Sequence, residues 1–218
     1  MVHIPLRARV EPGDARAMES EEEALPPALA PNIGPPERIE VEGIVLRRWT
    51  PDDLQARFEA LLASYEHLRP WMAWIQEPPT LEGQRAFDEL RGDAWLGEDS
   101  FAYGIFDAAD GSVLGAIGVH DRVGPGGLEL GYWCHVAHTG KGVMTRAAGE
   151  LTRILLELDG IERVEIHCDE ANTRSAAIPQ RLGYRLDRIE EDGVRAPFEI
   201  GRGMVWIKER ENTGAPAG

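Results

Sequence analysis

A carboxylate, a glycine turn and an Asn-x-x-Ser helix start follow one another between residues 129 and 175. The carboxylate is Glu129, in Glu129-Leu130-Gly131-Tyr132-Trp133-Cys134-His135-Val136. With a period of two, Glu129, Gly131, Trp133 and His135 share one face of a strand, and Leu128, Leu130, Tyr132, Cys134 and Val136 take the other. A carboxylate set between apolar neighbours has its pKa raised and can act as a base through a water. A surface glutamate, or one paired with arginine, fits the same pattern. His120 and His135 are rival bases, or simply satisfied or exposed histidines. The strand runs into Ala137-His138-Thr139-Gly140-Lys141-Gly142-Val143-Met144-Thr145, where a Gly-x-Gly turn opens a helix. Free N–H groups and the helix dipole suit an anion there, and glycines let a pyrophosphate approach the backbone. The segment lacks the Walker ending and the three-glycine dinucleotide spacing, so an ordinary turn explains it as well. Thr145 either adds a hydroxyl or is a plain first-turn residue. Ser175 follows Asn172 by one helical turn, so both face the same side. Asn is also a favoured helix cap.

These residues need elements to hold them. Ile44-Val45-Leu46-Arg47-Arg48-Trp49 reads as a strand, and Thr50-Pro51-Asp52-Asp53 as a helix start. Leu54, Phe58, Leu61 and Leu62 stripe that helix. A loop carrying Trp71 and Trp74 leads to a second helix near 80–91. Strands near 101–107, 112–121 and 127–136, separated by glycine turns, predict an antiparallel meander. The glycine loop then opens a helix to about Leu158, and Val164, Ile166 and Cys168 alternate on the next strand. A short helix near 172–182 and strands near 183–189 and 202–208 complete the core. The order implies a mixed α/β (α+β) layer with one parallel crossover.

Composition narrows the partners. The chain has 218 residues, 38 acidic against 23 basic, for a net charge of −15. Such a field repels phosphate backbones, so nucleic acid is not an expected partner. It attracts a cationic small molecule or a basic peptide, or simply keeps the protein soluble. Only Lys141 and Lys208 are lysines. Two cysteines, Cys134 and Cys168, provide neither a disulfide framework nor a zinc site, and no metal is expected. Neither is equipped as a nucleophile. With no membrane-length apolar run and no signal-type N-terminus, a cytoplasmic location without a membrane partner is expected. Residues 1–36 hold seven of the 15 prolines and the run Glu19-Ser20-Glu21-Glu22-Glu23, and read as a mobile extension. Residues 211–218 read as a flexible tail, leaving 37–210 as the folded domain.

The combination of Glu-Leu-Gly-Tyr-Trp, Gly-Lys-Gly-Val-Met-Thr and Asn172-x-x-Ser175 ending in Leu182-Gly183-Tyr184 resembles the GNAT superfamily of acyl-CoA-dependent N-acyltransferases. His67-Leu68-Arg69-Pro70-Trp71-Met72-Ala73-Trp74 is similar to its RimJ/RimL-type branch. The resemblance covers about 42–208 and implies a mixed, mostly antiparallel sheet with helices on both faces. It implies acetyl-CoA as co-substrate and an amine, either a protein N-terminus or a small molecule, as acceptor, with a homodimer open. On this likeness Trp133, Cys134, His135, Val136, His138, Thr139, Gly140, Lys141, Gly142, Val143, Met144, Thr145, Asn172, Ser175 and Tyr184 border the donor. Trp71, Trp74, His120 and Glu129 border the acceptor. Two departures stand out. Ala137 replaces the usual Gln/Arg before the loop, and Pro179 stands where many members carry an acid tyrosine, which leaves Ser175 to protonate the departing sulfur. A protonated amine needs a base before it attacks a thioester, and Glu129 is the candidate. A non-catalytic acyl-CoA sensor on the same fold is the alternative.

Overall fold

A computed structural model of the chain describes residues 26–91, 100–108 and 111–211. Its strands are β1 (Arg38–Val41), β2 (Ile44–Arg48), β3 (Ser100–Asp107), β4 (Val113–His120), β5 (Gly127–Cys134), β6 (Arg163–Asp169), β7 (Arg185–Glu191) and β8 (Arg202–Glu209). Its helices are α1 (Leu54–Leu68), α2 (Leu81–Arg91), α3 (Val143–Glu157) and α4 (Thr173–Arg181). The strands form one sheet in the order β1-β2-β3-β4-β5-β6-β8-β7. Every neighbouring pair is antiparallel except β5 and β6, which α3 joins by the expected crossover. The fold is therefore the mixed, mostly antiparallel α/β class. β1 is an addition. Its run Arg38-Ile39-Glu40-Val41 is too short to declare itself, and it forms because Glu42-Gly43 turns the chain back, with Gly43 at φ 73°, onto β2.

Period-two alternation divides the core between the two faces of the sheet. On one face Leu128 and Leu130 of β5 and Val164 and Ile166 of β6 pack under Ala147, Ala148, Leu151 and Leu155 of α3. On the other, Trp133 joins Phe106 and Val113 against Ala60, Leu61 and Leu68 of α1. The face assignment read from the sequence of β5 is thus the one observed. The extension differs from expectation. Residues 1–25 and the tail 212–218 lie outside the described residues, but 26–36 pack against the domain. The Ala28 and Leu29 N–H groups donate to the two carboxylate oxygens of Asp121, at 2.8 and 2.9 Å. Leu29 is only 9% exposed, a burial worth roughly 2 kcal/mol. The proline count concealed one apolar anchor and one carboxylate able to satisfy two amides.

The parallel pair also makes the opening that matters. β5 and β6 stay in register only from Gly127↔Arg163 to Leu130↔Ile166. Beyond that point β5 continues with β4 to Cys134, and β6 continues with β8 to Asp169. The two strands therefore splay, and the sheet parts between them.

Candidate active site

A cavity of about 610 Å³ occupies the splay. Leu130, Tyr132, Cys168, Asn172 and Ser175 line it from the α3/α4 side, and Glu129, His120, His167, Trp71 and Met72 from the α1 side. It therefore passes through the sheet, with β5 backbone from Gly131 onward at its edge. A linear group entering on one face can meet a second reactant entering on the other.

On the α3/α4 side, Gly140 and Gly142 adopt φ 73° and 74°, where side chains are strained. A Cβ on Gly140 would meet nothing within 4 Å, so backbone conformation and not packing requires glycine there. Gly142 is the N-cap of α3, and no side chain caps that turn. The first N–H groups of the helix, beside Lys141, have no intrahelical acceptors, which suits an anion. Arg146 holds the loop by donating to the Lys141 carbonyl at 3.2 Å. At the start of α4, Asn172 Oδ1 accepts the Ser175 N–H at 3.1 Å. The capping role and a place in the cavity thus coincide in Asn172. The Tyr132 hydroxyl lies 3.4 Å from Ser175 Oγ. Burial pushes the Tyr132 phenol up, against the hydrogen bond with Ser175, so it keeps its proton.

On the other side lies a chain of charges. Arg122 grips Glu129 with two hydrogen bonds of 2.7 Å, Nε to Oε2 and Nη2 to Oε1. His167 Nδ1 is 4.0 Å from Glu129 Oε2, and His167 Nε2 is 2.7 Å from Glu165 Oε2. Arg163 completes the line with its Nε 2.7 Å from Glu165 Oε1. Parallel register places Glu129 beside Glu165, which brings the two carboxylates together. Each is 3% exposed. Burial by itself would raise Glu129. The Arg122 hydrogen bonds outweigh it, with the Arg122 charge and, when it is protonated, His167 adding to them, and bring the carboxyl down to about 2. The raised pKa expected from its apolar neighbours is therefore corrected, because Arg122 reaches it from the turn after β4. Burial likewise opposes ionisation of Glu165, and the His167 and Arg163 hydrogen bonds hold it low.

Other expected residues divide. Trp71 lines the cavity and meets Phe198 edge-on at 5.8 Å, whereas Trp74 packs in the α1 cluster, the hydrophobic seam. Tyr184 does not line the cavity, since its hydroxyl is spent on Thr152 Oγ1 at 2.6 Å within the core. Trp133, Val143 and Met144 bury their side chains, so only their backbone can face a ligand. His135 is not in the cavity: its Nδ1 accepts the Ala137 N–H, and its ring meets that of His138 at 5.3 Å. Thr139 donates to the Val136 carbonyl at 3.0 Å. Val136 and Thr145 lie at the rims of the same loop and helix, partly exposed. Burial pushes the thiols of Cys134 and Cys168 up to about 11, which keeps them protonated. Sequence reasoning missed Arg122, Glu165 and His167. The alternation Glu165, His167, Asp169 opposite Val164, Ile166, Cys168 is the signal that could have found two of them.

Residues 44–185 match the acetyltransferase (GNAT) domain model. The chain belongs to that acetyltransferase family. It is 28% identical over 157 residues to "Putative ribosomal N-acetyltransferase YdaF" of Bacillus subtilis (strain 168), covering 70% of this chain and 84% of that one. Its fold superposes on RimL, a ribosomal L7/L12 alpha-N-protein acetyltransferase solved in complex with coenzyme A. The TM-score is 0.68 at 19% identity, over 79% of this chain and 98% of that one. RimJ of Mycobacterium smegmatis, in complex with a CoA disulfide, gives 0.66 at 21% identity, over 84% and 88%. These are relatives of the expected RimJ/RimL type. No helix among the described residues is long and apolar enough to cross a membrane.

Proposed function

We propose that this protein transfers the acetyl group of acetyl-CoA directly to the amino terminus of a polypeptide, in the cytoplasm. The observation that carries it is the cavity through the splayed sheet, with an uncapped glycine-bounded helix start on one side and the Glu129 carboxylate on the other. The pyrophosphate rests on the N–H groups after Gly140-Lys141-Gly142, and the pantetheine runs along the free edge of β5 past Gly131 toward Asn172. The acceptor enters from the α1 side. Six carboxylates line the cavity (Asp121, Glu129, Asp169, Glu190, Asp192, Glu199) against the two arginines Arg122 and Arg195. An ammonium group is favoured there. Phe198 packs edge-on against Trp71 of the lining, and Val194 and Ile200 adjoin the lining residues Arg195 and Glu199 in the chain, all three more than half exposed. That rim suits the side chains of a polypeptide better than a lone small amine.

Glu129, ionised at every working pH, draws the ammonium in. With its proton affinity suppressed by Arg122, it serves as an electrostatic anchor. The departing thiolate takes its proton from Ser175. Ser175→Ala is expected to slow turnover about 10–100-fold, the worth of about 1.5–3 kcal/mol, with donor affinity unchanged. Tyr132→Phe tests the neighbouring phenol, and a loss confined to that variant transfers the acid role to Tyr132. The functional test is release of free CoA thiol with a panel of peptides and small amines. Peptides with free amino termini should be consumed. A protein that binds acetyl-CoA but releases no thiol with any amine is a sensor, and the proposal fails.

A further inference from the structure

We propose that His167 is the general base that takes the proton from the acceptor amine, with Glu165 as the positioning residue that fixes its tautomer; this rests on the acetyl-transfer reading above. Glu165 is buried and ionised, so its oxygens can only accept hydrogen bonds. His167 Nε2, 2.7 Å away, must therefore carry the hydrogen. That leaves Nδ1 with the lone pair. Nδ1 faces Glu129 Oε2 across 4.0 Å, too far for a direct bond. One nitrogen, of an amine or of nothing larger than water in its place, fits between them at about 2.8 Å from each. An ammonium held there touches an anion that attracts it and a neutral ring nitrogen that can take its proton. Both His167 and Glu129 line the cavity, so the place is reachable from the acceptor side. Arg163, fixed to the Val123 and Pro125 carbonyls, holds Glu165 from behind and keeps the ring from turning. The arrangement is a carboxylate–imidazole pair with its free nitrogen aimed at the acceptor.

The step balances. The ammonium loses one proton to His167 Nδ1, and the neutral amine nitrogen attacks the thioester carbonyl, forming the C–N bond. The tetrahedral intermediate then expels the thiolate, breaking the C–S bond. The second proton of the attacking nitrogen is delivered, net, to the sulfur, and His167 returns its own to solvent. The products are the acetamide, CoA thiol and one proton.

The other charged and titratable groups around this position are His120 from β4, Asp121 and Arg122 from the turn after it, Glu129 from β5, Glu165, Arg163 and Asp169 from β6, Glu190 from β7, and Asp192, Arg195 and Glu199 from the segment after it. The test therefore compares His167→Gln, Glu165→Gln and His120→Gln, using the intact protein, acetyl-CoA and an amine that wild type consumes. Glutamine at 167 keeps a donor for Glu165, so folding should survive. His167→Gln should lower kcat/KM about 100-fold or more and abolish the low-pH limb of its pH profile, with acetyl-CoA affinity unchanged. Glu165→Gln should lower kcat/KM and displace that limb, because the ring then loses the acceptor that fixes its tautomer. A merely structural role would leave the limb in place. In ¹⁵N spectra of wild type at neutral pH, His167 should show its hydrogen on Nε2. Hydrogen on Nδ1, a limb that survives His167→Gln, or a limb removed by His120→Gln instead overturns the assignment. If wild type consumes no amine at all, the proposed function fails and this role falls with it; if wild type is active and His167→Gln keeps its rate and pH profile, this role alone fails.

Discussion

Arg122→Met should destabilise the protein by about 3 kcal/mol at neutral pH, and the deficit should shrink on acidification. The pair is unequal in burial: the Glu129 side chain is 4% exposed and that of Arg122 31%. Removing the arginine takes two short hydrogen bonds from a carboxylate in the sheet interior, and breaking such a buried pair typically costs about 3–5 kcal/mol. The pH dependence follows from the direction of the shift. In the folded protein Glu129 is lowered to about 2 from an ordinary value of 4.5. A depressed carboxyl contributes stability above its unfolded pKa and loses it as pH falls through 4.5 toward 2. Without Arg122 the strongest lowering influence on the carboxyl is lost and the folded pKa moves back toward its ordinary value, so the variant has less stability to lose on acidification. Denaturant unfolding of both proteins at neutral pH and near pH 4 checks this. A deficit equal at the two pH values would mean that Glu129 does not depend on Arg122 for its charge.

The second large effect concerns the donor. Gly142→Glu should raise the KM for acetyl-CoA about 100-fold or more, and acetyl-CoA should no longer raise the melting temperature. Gly142 sits at φ 74° at the helix start, so any side chain brings strain of about 1–2 kcal/mol. A glutamate there also sets a negative charge against the N–H groups that the pyrophosphate would use. A Cβ at this position meets only Arg146 Nη1, at 3.2 Å, the movable end of a long side chain. The domain should therefore fold with a modest loss of stability. Gly142→Ala separates the two causes, since it brings the strain without the charge and should keep most of the thermal shift. A full shift in Gly142→Glu would place the pyrophosphate elsewhere.

Hydrophobic periodicity was enough to set the order of the elements. Alternation in Leu128 to Val136 assigned the faces of β5, and the stripe through Ala147, Leu151 and Leu155 made α3. Glycines at 140 and 142 marked the turn that opens α3, because few other residues tolerate φ near +73°. The motif resemblance added the family. Local pattern could not show which groups neighbour one another through the sheet. Arg122 is seven residues from Glu129, yet only the turn between β4 and β5 directs its guanidinium onto that carboxylate and reverses the expected pKa. Tyr184 and Trp74 are apolar-bodied residues in family-like positions, and packing alone decided that their side chains belong to the core. The parallel register of β5 and β6 is likewise invisible in either strand. It places Glu129 beside Glu165, brings His167 between them, and ends at Leu130↔Ile166. Where that register ends the sheet opens, because each strand there pairs only on its outer side, and the cavity exists for that reason.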